Sequence, residues 1–232
     1  MMITAKHLKK TYGDKIALHI EELHIGEGES FGLVGNNGAG KTTFFRLILD
    51  LIKATEGEVL VNNTPVVCND EWKSYVGSFL DENFLIDFLT VNEYFQFIGK
   101  LHRLTADQIT AFTDSMQDFF NGEISDTKKL IRDYSKGNQK KIGIAAALIG
   151  NPKILILDEP FTALDPSSQI RLKRFLNDLQ VQKNITLLVS SHDLNHITEV
   201  CKRIVILENG HIVKDIATNE NTLKELEGYF AV

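Results

Sequence analysis

The chain has 232 residues, 43% of them hydrophobic and 24% charged, the balance of an ordinary globular protein large enough to bury a full core. Its formal net charge of −6 argues against a chain that coats a nucleic-acid backbone, which needs clustered Lys and Arg, so no nucleic-acid partner is expected. Cys68 and Cys201 form no metal or redox pair and read as free thiols, no run is apolar over the length of a bilayer span, and no leader pattern follows the charged first ten residues.

In chain order, residues 3–8, 17–25 and 29–34 read as strands, with turns at Gly13-Asp14 and Gly26-Glu27-Gly28. A helix is expected over 41–51. Residues 57–61 and an Asn62-Asn63 turn predict a hairpin. From 84 to 133 the pattern turns helical. Val91, Tyr94, Phe95, Ile98 and Leu101, then Ile109, Phe112, Met116, Phe119 and Phe120, fall at helical spacing and read as packing rather than as a ligand box. A helix over 140–150 leads to the all-apolar run 154–157, the pattern of a strand covered on both faces. A helix over 167–181, a strand over 185–189 and a hairpin across Asn209-Gly210 complete the order. This predicts one α/β domain over 1–232, with a helical lobe inserted over about 84–133 and no room for a separate C-terminal domain.

The chemistry is concentrated in two places. Gly35-Asn36-Asn37-Gly38-Ala39-Gly40-Lys41-Thr42-Thr43 has the spacing G-x-x-x-x-G-K-[S/T] between a buried strand and a helix. Its glycines let backbone N–H groups approach phosphate oxygens, Lys41 supplies charge to the β- and γ-phosphates, and the Thr42 hydroxyl is suited to Mg²⁺. A nucleoside triphosphate with Mg²⁺ is therefore the expected ligand. Downstream, Asp158 and Glu159 leave the apolar strand together. Asp158 is expected on Mg²⁺, with Thr42, and Glu159 as general base for the attacking water.

With these motifs the chain resembles the ATP-binding subunit of ABC transporters over nearly its whole length. Further positions match in order. Thr11-Tyr12-Gly13 looks like the loop whose aromatic residue stacks on adenine. Tyr134-Ser135-Lys136-Gly137-Asn138 stands where the family carries Leu-Ser-Gly-Gly-Gln. Thr162-Ala163-Leu164-Asp165 looks like the D-loop, and Ser190-Ser191-His192-Asp193 like the switch region. The resemblance implies a P-loop NTPase core, a RecA-like mixed sheet with flanking helices, joined to an N-terminal antiparallel β subdomain and the inserted lobe. It implies that the triphosphate is ATP, and a head-to-tail pair with a second ATPase subunit, identical or homologous. Ser135, Lys136, Gly137 and Asn138 would then meet the partner's nucleotide, Asp165 the partner's loop, and His192 the γ-phosphate.

Two departures stand out. The signature has Lys136 for its first glycine, Tyr134 for its leucine and Asn138 for its glutamine. At the Q-loop, Asp81 takes the glutamine position and Glu82 follows it. Acidic residues there are similar to the subfamily that drives ABC-2-type exporter permeases. The resemblance therefore implies export through an integral membrane permease, with this chain peripheral at the cytoplasmic face. Exposed apolar groups around Phe84, Leu85, Phe88 and Leu89 are expected to form the permease groove. Two other functions compete with this one. A soluble ABC ATPase acting on nucleic acid or the ribosome would carry a coiled-coil insertion or a second cassette. Intact Lys41, Asp158, Glu159 and His192 argue against a regulator that binds ATP without turnover, while the altered signature and Q-loop keep that alternative open.

Overall fold

The computed structural model describes residues 2–125 and 128–230. The expected domain over 1–232 and lobe over 84–133 include positions 1, 126, 127, 231 and 232, which lie outside the described residues.

The chain begins with an antiparallel pair, β1 (Ile3–Tyr12) and β2 (Lys15–Ile25), both longer than the sequence pattern suggests. The extension carries Tyr12 out to the strand tip. β3 (Ser30–Val34), buried throughout, feeds the glycine-rich loop and α1 (Lys41–Ile48). This helix stops short of the expected residue 51, because Leu49 caps it and Asp50 turns the chain at a φ of 50°. β4 (Glu56–Val61) and β5 (Thr64–Pro65) form the expected hairpin, with Asn62 and Asn63 both at positive φ.

After β6 (Val76–Phe79) come α2 (Val91–Leu101), α3 (Ala106–Ser115) and α4 (Gln117–Phe120). Thr90 and Thr105 start α2 and α3 with capping boxes completed by Glu93 and Gln108. The aromatic stripe is core, but Leu101, expected to pack with it, is 66% exposed because it ends α2 on the outer side. Phe95 stacks on Phe120 at 6.3 Å, and Phe119 on Phe175 at 4.6 Å. α5 (Lys136–Leu148) begins ahead of the expected residue 140 because the Ser135 side chain caps it. It is buried nearly all round. Lys141 within it, 1% exposed, bonds both carboxylate oxygens of Glu123 at 2.9 Å. β7 (Ile154–Leu157), α6 (Pro166–Lys183), β8 (Thr186–Ser191), α7 (Leu194–Val200), β9 (Arg203–Glu208), β10 (His211–Ala217) and α8 (Thr222–Phe230) complete the chain.

Among the described residues the strands form one ten-stranded sheet in the order β5-β4-β1-β2-β10-β9-β3-β8-β7-β6. From β9 to β6 every neighbouring pair is parallel. The β5-β4-β1-β2 side is antiparallel. Arg203 ties the two parts together, bonding Asp215 through two nitrogens, the His24 carbonyl and Glu29. Strand alternation divides the core between the faces of the sheet. Ile154, Ile156 and Leu188 join one cluster with α1, while Leu155, Leu157, Leu187 and Val189 join the other with α5, α6 and the lobe. Phe44 and Phe45 are fully buried in the first cluster. Burying each ring is worth about 1.5–3 kcal/mol, so α1 and the loop before it are firmly held. The carboxyl ends of β3, β6, β7 and β8 open on one edge, where open α/β sheets place their ligand crevice.

Candidate functional site

These four strand ends deliver the site. Beyond β3, Gly40 has a φ of 111°, and a Cβ there would lie 2.6 Å from the Ala17 carbonyl, so only glycine fits. No side chain caps α1. Its first amides are left for an anion, with the helix dipole favouring negative charge. Lys41, the first helical residue, is 6% exposed. Its ammonium donates to the Gly35 carbonyl at 2.6 Å and lies 3.3 Å from Glu159 Oε1.

Between this loop and the β1–β2 tip is a cleft of about 310 Å³, lined by Tyr12, Lys15, Ala17, residues 37–43 and Glu159. Tyr12 is 53% exposed at its mouth, with Lys10 Nζ 5.0 Å from the ring centroid. It is not a core tyrosine.

From β7, Asp158 is buried and takes its hydrogen bonds from hydroxyls alone, Thr42 Oγ1 at 2.5 Å and Ser190 Oγ. Burial pushes its carboxyl up, against the pull of those bonds, and the neighbouring Glu159 charge adds to the rise. Glu159 stands at a φ of 46°. That conformation costs about 1–2 kcal/mol for a residue with a Cβ, so something must hold it. Its amide donates to Ser190 Oγ at 2.9 Å, and its carbonyl accepts from Lys140 Nζ and Thr162 Oγ1, each at 2.9 Å. Its Oε2 lies 2.9 Å from His192 Nδ1. Its Oε1 is buried and accepts no hydrogen bond, the ion pair with Lys41 aside.

After β6 the acidic turn is already engaged. Asp81 Oδ1 caps the one-turn helix Glu82–Phe84 through the Asn83 amide, and Glu82 Oε1 lies 3.4 Å from Lys140 Nζ. The remaining residues singled out by sequence stand elsewhere: Ser135, Lys136, Gly137, Asn138 and Asp165 do not line the cleft around Lys41. Ser135 Oγ accepts from the Asn138 amide, and Lys136 folds back to Gln139 Oε1 at 3.3 Å. A Cβ on Gly137 would lie 2.8 Å from the Ala163 carbonyl, so the first turn of α5 rests directly on the loop before α6. Asp165 caps α6, and bonds from Ser168 and Ser167 hold its carboxyl far below the usual range.

An apolar cleft of about 310 Å³ separates β6 from the lobe, lined in part by Leu51, Val76, Phe84, Tyr94 and Ile98. Phe84 and Phe88 are exposed as expected, at 58% and 64%. Leu85 and Leu89 are not. Leu85 is 8% exposed, and Leu89 packs half-buried against the core, because each turns inward where the chain enters the lobe. Ser190 and Thr162 were quoted within motifs, but their hold on the Glu159 peptide was not foreseen, and Lys140 was given no role. Ser190 carried a signal, as a hydroxyl ending an apolar strand. Lys140 carried none, since nothing local tells a buried lysine from a solvated one.

The family model that matches, over residues 18–162, is described as ABC transporter. The uncharacterized ABC transporter ATP-binding protein YhaQ of Bacillus subtilis is 34% identical over 99% of this chain and 74% of its own. The bacitracin transport ATP-binding protein BcrA of Enterococcus faecalis is 32% identical over 94% of this chain and 70% of its own. The methionine import ATP-binding protein MetN of Carboxydothermus hydrogenoformans is 31% identical over 92% and 66%. Among solved structures, the dimeric MJ0796, a bacterial ABC transporter cassette, superposes with a TM-score of 0.83 at 26% identity, covering 94% of this chain and 99% of that one.

Proposed function

The chain belongs to the ABC transporter family as an ATP-binding cassette, and from that premise we propose that it hydrolyses Mg-ATP in a head-to-tail dimer that drives a separately encoded membrane permease, outward. The observation that carries the reading is Glu159 Oε1: a buried carboxylate oxygen free of hydrogen bonds, beside the phosphate-loop lysine. Such an acceptor suits an attacking water. His192, on the other oxygen, keeps the carboxylate aimed. Lys41 and the α1 amides bind and orient the triphosphate.

A divalent ion fits the residues present. Asp158 is buried, acidic and bonded only to hydroxyls, one of them Thr42. Thr42 and Asp158 would hold Mg²⁺, which when bound neutralises phosphate charge. Among the described residues no cluster of three or more His, Cys, Asp or Glu side chains is built for a metal by itself. The ion would therefore come with the triphosphate.

Ser135, Lys136, Gly137 and Asn138 are assigned to the opposite subunit's nucleotide, with Asp165 at the dimer interface. That they do not line the cleft of their own chain supports this, as does the dimeric form of MJ0796. The acidic pair Asp81 and Glu82 supports export. The named relatives include both a bacitracin transport protein and a methionine importer. Among the described residues no helix is long and apolar enough to cross a membrane, so membrane attachment is assigned to the permease. The cleft beside Phe84 would receive it, and residues 84–133 would be the lobe that carries the motion.

Capture of the tagged protein with Mg-ATP from detergent-solubilised membranes is expected to recover a multi-helix membrane protein. Recovery of soluble partners alone would sink the transport reading. Tyr12→Ala is expected to weaken ATP binding by about 1–3 kcal/mol, the worth of one stacked base, in a titration with fluorescent nucleotide. Unchanged affinity would remove Tyr12 from the site.

A further inference from the structure

The Glu159 carbonyl is a meeting point of three donors: Lys140 Nζ at 2.9 Å, Thr162 Oγ1 at 2.9 Å and the Thr162 amide at 3.3 Å. Lys140 is 5% exposed. Its ammonium has as many acceptors as it has hydrogens: that carbonyl, Thr162 Oγ1 at 2.6 Å, and Glu82 Oε1 in an ion pair at 3.4 Å. A buried charge is expensive unless fully paired, and an apolar side chain of similar volume would serve packing alone at least as well. The lysine must therefore act through what it touches. It joins the peptide of Glu159, which stands at a φ of 46°, to the acidic turn that also carries Phe84.

We propose that Lys140 is a positioning residue for Glu159. Its ammonium fixes the Glu159 peptide in the left-handed conformation that aims the carboxylate between Lys41 and His192. Its ion pair with Glu82 makes that aim depend on the acidic turn at the edge of the apolar cleft. The signature stands one turn earlier on the same helix, so the surface assigned to the opposite subunit's nucleotide and the general base of its own share one short lever. This inference rests on the hydrolysis reading above and adds a residue and a route of control to it.

The test compares Lys140→Met, Lys140→Arg and Glu82→Gln with the parent protein, by steady-state ATPase kinetics and by hydrogen–deuterium exchange across residues 158–163. Lys140→Met is expected to lower kcat by about 10–100-fold, the cost of a misaimed group, with KM for ATP unchanged. The Thr162 amide should exchange faster in it. Lys140→Arg should restore most of kcat, and Glu82→Gln should lower kcat several-fold at unchanged KM. A parental kcat in Lys140→Met, or a loss shared by kcat and KM that arginine does not rescue, overturns the proposal. If Lys140→Met does not fold, a parental kcat in Glu82→Gln overturns it and the expected drop supports it. A parent protein without ATPase activity would count against hydrolysis itself. Exchange at Thr162 would still decide for or against the clamp.

Discussion

Glu159→Gln is expected to bind ATP as the parent protein does while hydrolysing it about 10²–10⁴-fold more slowly, the usual worth of a general base. The substitution keeps the side chain's shape and removes its ability to take a proton. The peptide that carries it is held from both sides by Ser190, Thr162 and Lys140, so the change should leave the backbone in place. Binding with slow hydrolysis should also let the ATP-bound dimer accumulate. Phosphate release assays and size-exclusion chromatography with Mg-ATP read both effects. Hydrolysis at the parental rate would remove Glu159 as the base and shift attention to His192.

Lys41→Ala is the second large loss, and it falls on binding. The ammonium is buried and donates to the Gly35 carbonyl at 2.6 Å, held at the start of α1 by the packing of Phe44 and Phe45. A hydrogen bond to a charged group contributes about 1.5–3 kcal/mol, so the Kd for ATP should rise by about 10–100-fold, with turnover falling further. Isothermal titration would show this directly. Parental affinity would mean that the glycine-rich loop holds phosphate through its amides alone.

The parts of the fold legible in the sequence are those set by short-range pattern. The apolar runs at 154–157 and 185–189, the Asn62-Asn63 and Asn209-Gly210 turns and the glycine spacing before Lys41 all appear as structure near where they were read. Errors cluster at boundaries. α1 ends early at Asp50, where nothing but an ordinary acidic residue marks the turn. α5 starts early because Ser135, read as a phosphate ligand, is also a helix cap. Leu85 was expected at the surface beside Phe84, and only the path of the chain into the lobe turns one inward and leaves the other out. Around the site, the meeting of Thr42 with Asp158 and of Lys41 with Glu159 was legible in two local motifs, the glycine-rich loop and the acidic pair ending an apolar strand. The roles of Lys140 and Ser190 were not, since they lie 19 and 31 residues from Glu159, the residue they hold.

Asp158 and Glu159 put two acidic groups side by side at the end of a buried strand, and Lys41 is a cation whose charge offsets both. A triphosphate competes for that same ammonium. Bare ATP would bring in more negative charge while drawing away the counter-charge, leaving the acidic pair poorly compensated. A nucleotide that arrives with its own divalent ion brings compensation with it. On the hydrolysis reading proposed above, the crevice would thus favour chelated over free nucleotide before any chemistry begins, because the lysine that meets the phosphates is also the one paired with Glu159.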